Sequence, residues 1–183
     1  VKVNISGFDK LLGLNDLRYL VFEDQIKKHP EWETIFMTDV SDVIVLHNPC
    51  TLVEQHEPQK LFVCGQRTDM SLLKWIVPKF EAMGGKYLEW YRALKYDDAK
   101  VLNAGIIGGR RSQVMEVVAG VNEVLSDPML AARRNGSDVR VNMAAVNYVI
   151  RNKFKSSDLI RYSPLHSRLG SYDNRLDVYF KHK

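Results

Sequence analysis

The sequence is poor in the features that mark disulfide-rich and membrane proteins. It has only two cysteines in 183 residues, Cys50 and Cys64, and their spacing is not that of a metal site, so we expect two free thiols. No apolar run approaches the ~18 residues of a membrane span, and the first ten residues do not form a signal peptide. We therefore expect no membrane span in this chain and favour a cytoplasmic location, while the compartment itself stays unknown.

A concentrated basic stretch is also lacking. The chain has 26 Lys and Arg against 22 Asp and Glu, a formal net charge of +4, but the basic residues are dispersed apart from pairs such as Arg110-Arg111. Proteins that bind nucleic acid usually carry a basic stripe, often with interleaved aromatic residues. We therefore expect no nucleic-acid partner.

What the sequence does contain is enough apolar residues for one core, alternating between two kinds of segment. Hydrophobic residues make up 45% of the chain, and we treat residues 1–183 as a single domain. Strands are predicted over VKVNI, ETIFMTD, VIVL, KLFVCG, KVLNAGIIGG, LIRYSPL and LDVYFKHK. Helices are predicted from an Asn15 cap to about His29, over SLLKWIVPKFEAMGGKYLEWYRAL with breaks at Pro78 and Gly84-Gly85, and over RSQVMEVVAGVNEVLSD and SDVRVNMAAVNYVIRNKF. This alternation predicts an α/β fold, a mostly parallel sheet with helices on both faces.

Two acids follow the predicted strand ETIFMTD. Only Val40 and Ser41 separate Asp39 from Asp42, and ligands of parallel sheets collect at the carboxyl ends of strands. Two close carboxylates repel each other unless a cation lies between them, and such oxygen ligands suit Mg²⁺ or Mn²⁺ carrying a diphosphate. The alternative is that Asp39 closes an Asx-turn and Asp42 is solvated, as happens in many loops.

The wider stretch IFMTDVSDVIVLHNP, residues 35–49, resembles the metal-binding acidic motif of GT-A fold glycosyltransferases, in particular the glycogenin-like and related nucleotide-sugar-dependent families. That motif is Asp, any residue and Asp, followed by apolar residues and then an acid or Asn with Pro. Asp42 and the following VIVLHNP match it, whereas Val40 stands where the first Asp is expected and Asp39 lies one residue early. The resemblance implies a Rossmann-like sheet and a metal ion held by Asp39 and Asp42.

The segment VLNAGIIGG, residues 101–109, looks like the Asn-Ala-Gly segment of the same family. There, small residues at a strand end let the backbone approach a bound sugar. The resemblance assigns substrate contacts to Asn103, Ala104 and Gly105. Taken alone, a glycine-rich run after a strand is equally a tight turn with no ligand.

The segment NMAAVNYVI, residues 142–150, has the register of a family helix that begins Asp-Gln-Asp. Asn, Met and Ala stand in those three places here. Only Asn142, with Asp138 one turn earlier, is then left to make polar contacts with substrate. Taken alone, this segment is an ordinary amphipathic helix.

Three further residues resemble family positions. His182 and Lys183 are similar to a late His that completes the metal site and a Lys that contacts the diphosphate, and an imidazole beside two carboxylates favours Mn²⁺ over Mg²⁺. Arg18, in NDLRYLVFEDQI, fits an Arg that faces the donor, since a guanidinium offers a fork of donors to phosphate. Otherwise His182 is a solvated terminal residue and Arg18 a surface residue paired with Asp16 or Glu23.

The function implied by the resemblance is metal-dependent transfer of a sugar, a hexose being favoured. The donor would be a nucleoside diphosphate sugar, with UDP favoured, and the acceptor a carbohydrate or glycosylated molecule. A metal ion held by Asp42, Asp39 and His182 would stabilise the departing diphosphate, helped by Arg18 and Lys183. The glycogenin-like branch implies retention at the anomeric carbon. The family opens with strand-helix-strand elements that bind the base, and VKVNI looks like the third strand, so we expect those elements to be missing here.

Two other functions stay open. A Mg²⁺-dependent phosphohydrolase also uses acids at strand ends, and a non-catalytic nucleotide- or sugar-binding module would keep the strands and glycines without both acids. Aromatic residues are frequent in residues 69–98 and could stack on an acceptor sugar, although helical spacing favours core packing for most of them. These residues are Trp75, Tyr87, Trp90, Tyr91 and Tyr96.

Overall fold

The computed structural model describes residues 13–39, 41–56, 58–94, 100–130, 140–161, 170–171 and 178–182. For residues 66–68, 160–161, 170–171 and 182 it describes the backbone alone. The predicted strand VKVNI and two predicted site residues, Asp138 and Lys183, lie outside the described residues. No described helix is both long enough and apolar enough to cross a membrane.

All but one of the described helices overlap segments predicted to be helical, and the sequence did not predict the short helix at Cys50–Glu54. They are α1 (Leu14–Lys28), α2 (Cys50–Glu54), α3 (Val77–Met83), α4 (Gly85–Arg92), α5 (Arg111–Leu125) and α6 (Asn142–Lys153), with 3₁₀ turns at Met70–Leu72 and Ser156–Asp158. The predicted break at Gly84-Gly85 separates α3 from α4, and both glycines have the positive φ that other residues avoid. The predicted Asn15 cap is wrong, because Gly13 caps α1 and Asn15 lies inside it.

The strands form two sheets. They are β1 (Thr34–Thr38), β2 (Val43–Val45), β3 (Leu61–Asp69), β4 (Lys100–Arg110), β5 (Leu159–Arg161), β6 (Gly170–Ser171) and β7 (Phe180–His182). The larger sheet has the order β1-β4-β3-β5 and the smaller one β2-β7-β6. All described strands lie within or overlap segments predicted to be extended, apart from β6, which no pattern indicated.

The predicted mostly parallel, Rossmann-like sheet is wrong. In the larger sheet β4 is antiparallel to both β1 and β3, and only β3 and β5 are parallel. In the smaller sheet β7 is antiparallel to β2 and parallel to the short β6. The longer pairings are thus antiparallel, and the fold is mixed α/β. A parallel pair needs a crossover that returns the chain to the same end of the sheet. The short helices α3 and α4 between β3 and β4 instead bring the chain back in the opposite direction.

The core lies on both faces of the larger sheet. Alternate residues of β3 face opposite sides, so that Leu61 and Val63 join the main core, whereas Phe62 and Cys64 join a smaller cluster. The main core includes the apolar faces of α5 and α6, and the smaller cluster includes Leu52 and Val53 of α2 with Phe180 of β7. The long helices α5 and α6 thus cover one face, and α2 with the smaller sheet covers the other.

Candidate functional site

A cavity of about 790 Å³ opens where the loop after β1 meets the middle of β4. Its remaining walls come from α1, from the segment leading into α3, and from the start of α6. Seven residues predicted from separate sequence motifs line it together: Arg18, Asp39, Asp42, Asn103, Ala104, Gly105 and Asn142. Asp39, Asp42 and the segment Asn103–Gly105 were expected at the ends of parallel strands, whereas Asp39 in fact lies beside Gly105 in the middle of the antiparallel strand β4.

Asp39 is fixed against β4 and α1. Its backbone N–H donates to the carbonyl oxygen of Gly105 at 3.0 Å, which extends the β1–β4 pairing by one residue beyond Thr38. Its Oδ1 accepts a hydrogen bond from the Arg18 guanidinium in a half-buried ion pair. The acid at the end of β1 is therefore held at the cavity and is not simply a solvated loop residue.

Arg18 pairs with the Asp39 carboxylate and also lines the cavity. A second guanidinium nitrogen lies 3.5 Å from the carbonyl oxygen of Ala104, and the guanidinium carbon is 5.3 Å from the centre of the Tyr19 ring. Burial alone would lower the pKa of Arg18, but Tyr19 and Asp39 outweigh it and raise that pKa. Arg18 is consequently a permanent cation at the floor of the cavity, and its partner is Asp39 instead of the Asp16 or Glu23 considered from the sequence.

Asp42 lies on the same cavity, one residue before β2. The antiparallel register places Val43 opposite His182, so the backbone of the predicted third metal ligand lies beside the residue that follows Asp42. Among the side chains that the structure describes, no group of three or more His, Cys, Asp or Glu residues is close enough to hold a metal ion. The His182 side chain is outside that set.

The donor set fits a hard divalent cation. Asp39 and Asp42 both line the cavity, and Asp39 contacts Arg18 through Oδ1. Oxygen ligands with remaining sites for water and phosphate suit Mn²⁺ or Mg²⁺. The residues that would hold the ion are therefore Asp39 and Asp42.

The Asn-Ala-Gly segment lies within β4 and not at a strand end. The Oδ1 atom of Asn103 accepts from the backbone N–H of Gly105 at 2.6 Å, and the N–H of Ala104 contacts Met143 Sδ at 3.3 Å. The side chain of Asn103 thus shapes the backbone that faces the cavity. Of the glycines in this run, only Gly105 lines the cavity.

Gly108 and Gly109 have a different use. A Cβ on Gly108 would lie 2.1 Å from Cδ1 of the Phe36 ring on β1, and a Cβ on Gly109 would lie 3.0 Å from the carbonyl oxygen of Lys60. Gly109 also has a φ of 153°. These glycines are needed for strand packing, so the idea that they make room for a ligand does not apply to them.

Two buried polar residues that the sequence did not single out hold α6 at the cavity. Asp16 on α1 is 1% exposed and accepts from the backbone N–H of Asn142 at 2.9 Å, at the first turn of α6. Asn147 is fully buried; it accepts from the N–H of Leu102 and donates to the carbonyl oxygen of Leu102, each at 2.8 Å. Asp16 lies early in a helix and Asn147 lies within one. Nothing in the neighbouring sequence indicates that either residue makes a long-range contact.

Three further residues line the cavity; the sequence named Trp75 only among the aromatic residues that could stack on an acceptor, and it did not single out Lys79 or Arg140. Trp75, Lys79 and Arg140 form part of the wall. Lys79 donates from Nζ to the carbonyl oxygen of Arg140 at 2.5 Å. Burial lowers the pKa of Lys79, with Asp16 acting against this shift and Arg140 adding to it. Lys79 and Arg140 thus add two cationic residues to the cavity besides Arg18, which pairs with Asp39.

Neither a scan against protein-family models nor a search of curated proteins finds a match for this chain.

Proposed function

We propose that this protein is a metal-dependent glycosyltransferase. It would move a sugar, with a hexose favoured, from a nucleoside diphosphate sugar to a hydroxyl group of a carbohydrate or glycosylated acceptor. The observation that supports this most is the convergence of Arg18, Asp42, Asn103–Gly105 and Asn142 on one cavity, although they come from segments far apart in the chain. The cavity volume of about 790 Å³ is in the range of small-molecule sites.

The chemistry of the site follows from charge. A nucleoside diphosphate departs only if its developing negative charge is neutralised, and a bound Mn²⁺ or Mg²⁺ supplies that neutralisation as a Lewis acid. Asp39 and Asp42 would hold the ion, with His182 as the expected third ligand. Arg18 keeps Asp39 in one orientation and adds a fixed positive charge close to the departing phosphate.

The walls proposed to meet the sugar are formed by β4 and α6. Ala104 and Gly105 bring backbone close to the cavity without bulky side chains, which suits a sugar ring lying against the strand. Asn142, held by Asp16, offers an amide to the sugar hydroxyl groups. We further propose that the anomeric configuration is retained, as in the glycogenin-like families that the motif resembles.

The test is calorimetric titration of UDP and UDP-glucose into the protein with and without Mn²⁺. We expect binding that needs the metal and that Asp42→Asn weakens at least about tenfold, since even residues that only orient metal ligands carry effects of that size. The matched control is Asp24→Asn, which removes an exposed carboxylate of α1 that pairs with Lys28. Loss of binding in both variants would point to a general charge effect and contradict the assignment.

The reaction itself separates this proposal from a phosphohydrolase. A glycosyltransferase should slowly release UDP and glucose from UDP-glucose in the presence of Mn²⁺. A phosphohydrolase should instead release inorganic phosphate or UMP. Metal-independent binding that Asp42→Asn does not change, or no binding at all, would refute the proposal.

A further inference from the structure

One wall of the cavity has no role in the chemistry proposed above. It contains Trp75, Lys79 and Arg140, which come from the segment leading into α3, from α3 itself and from the residue before Val141. The acids lie on the loop after β1, and the small residues that would meet the donor sugar lie on β4. The wall formed by these three residues therefore faces space that the donor leaves open.

Trp75 differs from the other aromatic residues of its region. Tyr87 is buried. Trp90 and Tyr91 pack against the main core, where both contact the ring of Phe80. Trp75 is 43% exposed although it lines a cavity. Tyr96 lies outside the described residues. Of the described aromatic residues in 69–98, Trp75 is thus the one whose ring faces the cavity.

The backbone next to Trp75 is held in place by burial and by a hydrogen bond. Ile76, the next residue, is fully buried, and its N–H donates to the carbonyl oxygen of Leu73 at 2.9 Å. Lys79 Nζ lies 5.8 Å from the centre of the Trp75 ring. The ammonium group lies over the indole ring at cation–π distance, and Trp75 still keeps 43% of its surface exposed. A flat apolar surface and a positive charge are therefore presented side by side.

We propose that Trp75, Lys79 and Arg140 form the acceptor subsite and that the acceptor is a saccharide carrying an anionic group. This inference rests on the proposed glycosyltransferase function. The C–H face of a pyranose ring is apolar and matches the electron-rich face of an indole. Lys79 and Arg140 would pair with a carboxylate or phosphate on the same saccharide, and they offset the repulsion that such a group would meet from Asp39 and Asp42.

The experiment measures saccharide binding to the full chain in the presence of saturating UDP and Mn²⁺, by calorimetry and by tryptophan fluorescence. The probes are matched sets of disaccharides built on cellobiose, lactose and mannobiose. Each set has a neutral, a hexuronic acid and a hexose 6-phosphate member. We expect an anionic member of at least one set to bind about tenfold more tightly than its neutral partner, because two exposed charge pairs each contribute a few-fold. The preference should shrink in 0.5 M NaCl as the charges are screened, the Debye length falling to roughly 4 Å.

Two variants separate stacking from charge. Trp75→Ala should weaken binding of neutral and anionic members alike by about tenfold, and Trp75→Phe should retain part of the affinity and serves if the alanine variant folds poorly. Lys79→Gln should reduce the anionic preference and leave neutral binding unchanged. The matched controls are Trp32→Ala, which removes another exposed tryptophan stacked on His29, and Lys86→Gln, which removes a lysine lying over Tyr87.

The outcomes of this test distinguish two failures. If UDP binds with Mn²⁺ but neutral and anionic members bind equally, or if Trp75→Ala binds them as the unmodified protein does, the acceptor inference is overturned and the glycosyltransferase proposal stands. If no saccharide binds while UDP does, the inference is overturned in the same way. If UDP shows no metal-dependent binding, the proposed function fails and the acceptor subsite fails with it. The uronate and phosphate members decide which anionic group is accepted.

Discussion

Asn147 joins α6 to β4 directly behind the candidate site, and its replacement by alanine has a cost that the structure allows us to work out. β1 pairs with β4 only from Ile106 to Arg110. At Leu102 the amide of Asn147 takes the place of a neighbouring strand, since it binds both the N–H and the carbonyl oxygen of that residue at 2.8 Å. The same amide donates to the carbonyl oxygen of Met143 at 2.8 Å.

Asn147→Ala would remove the side-chain partners of two backbone groups at a residue that is 1% exposed. Each buried polar group left without a partner costs roughly 1–3 kcal/mol. Two such groups give a range of roughly 2–6 kcal/mol, and we expect the free energy of unfolding to fall by about 3 kcal/mol, in the lower half of that range, because water can partly enter the site. For a chain of this size the melting temperature should fall by about 6–12 °C.

The assay is urea unfolding followed by circular dichroism, in which the midpoint should move to lower urea at unchanged slope. The matched control is Asn152→Ala in the same helix, where the exposed amide donates to the carbonyl oxygen of Tyr148; it should change stability by less than about 0.5 kcal/mol. If the two variants are equally stable, the buried amide does not hold β4 and α6 together. Asn147→Ala should also weaken UDP-glucose binding, because Ala104 and Asn142 lie on the segments that it joins.

Two more predictions concern other parts of the fold. Burial raises the pKa of the Cys64 thiol to about 12 from an ordinary 9.0. The thiol of the unfolded chain therefore ionises first, so the stabilising contribution of this shift is present below pH 9 and is lost as the pH rises from 9 towards 12. Iodoacetamide at pH 8 should therefore alkylate the half-buried Cys50 and spare Cys64, and faster labelling of Cys64 in mass spectra would contradict this. Gly108→Ala should destabilise the fold by about 1–3 kcal/mol through its clash with Phe36. Phe36→Leu in the same chain should recover part of that loss in a double-mutant cycle, and strict additivity of the two changes would show that the ring is not the obstacle.

Much of the local structure could be read from the sequence. The apolar runs predicted β1 to β4, and the breaks at Gly84-Gly85 predicted the separation of α3 from α4, because burial and backbone preference are properties of short segments. Strand direction was predicted wrongly. Runs such as KLFVCG and KVLNAGIIGG look the same whether they are paired in parallel or antiparallel, and α3 and α4 return the chain in a way that their lengths and periodicity do not reveal.

In the candidate site, too, some residues were predicted from the sequence and others were not. The acids Asp39 and Asp42 and the segment 103–105 were found from their neighbours in sequence, since each motif is short and contiguous. The residues that position them were not. Asp16 reaches the start of α6 across 126 positions in the chain, Asn147 reaches β4 across 45, and Lys79 reaches the carbonyl oxygen of Arg140 across 61.

The sequence by itself determined most of the strand and helix positions, and it named Asp39, Asp42 and Asn103–Gly105, on which the proposed function rests. Only the tertiary structure decided that Asp39 lies beside the middle of β4, that Arg18 pairs with Asp39, and that Trp75 and Lys79 form another wall of the same cavity. The physical reason is that a hydrogen bond or ion pair depends on distance and orientation in space. These are fixed by how the whole chain packs, and the spacing of two residues along the chain does not record them.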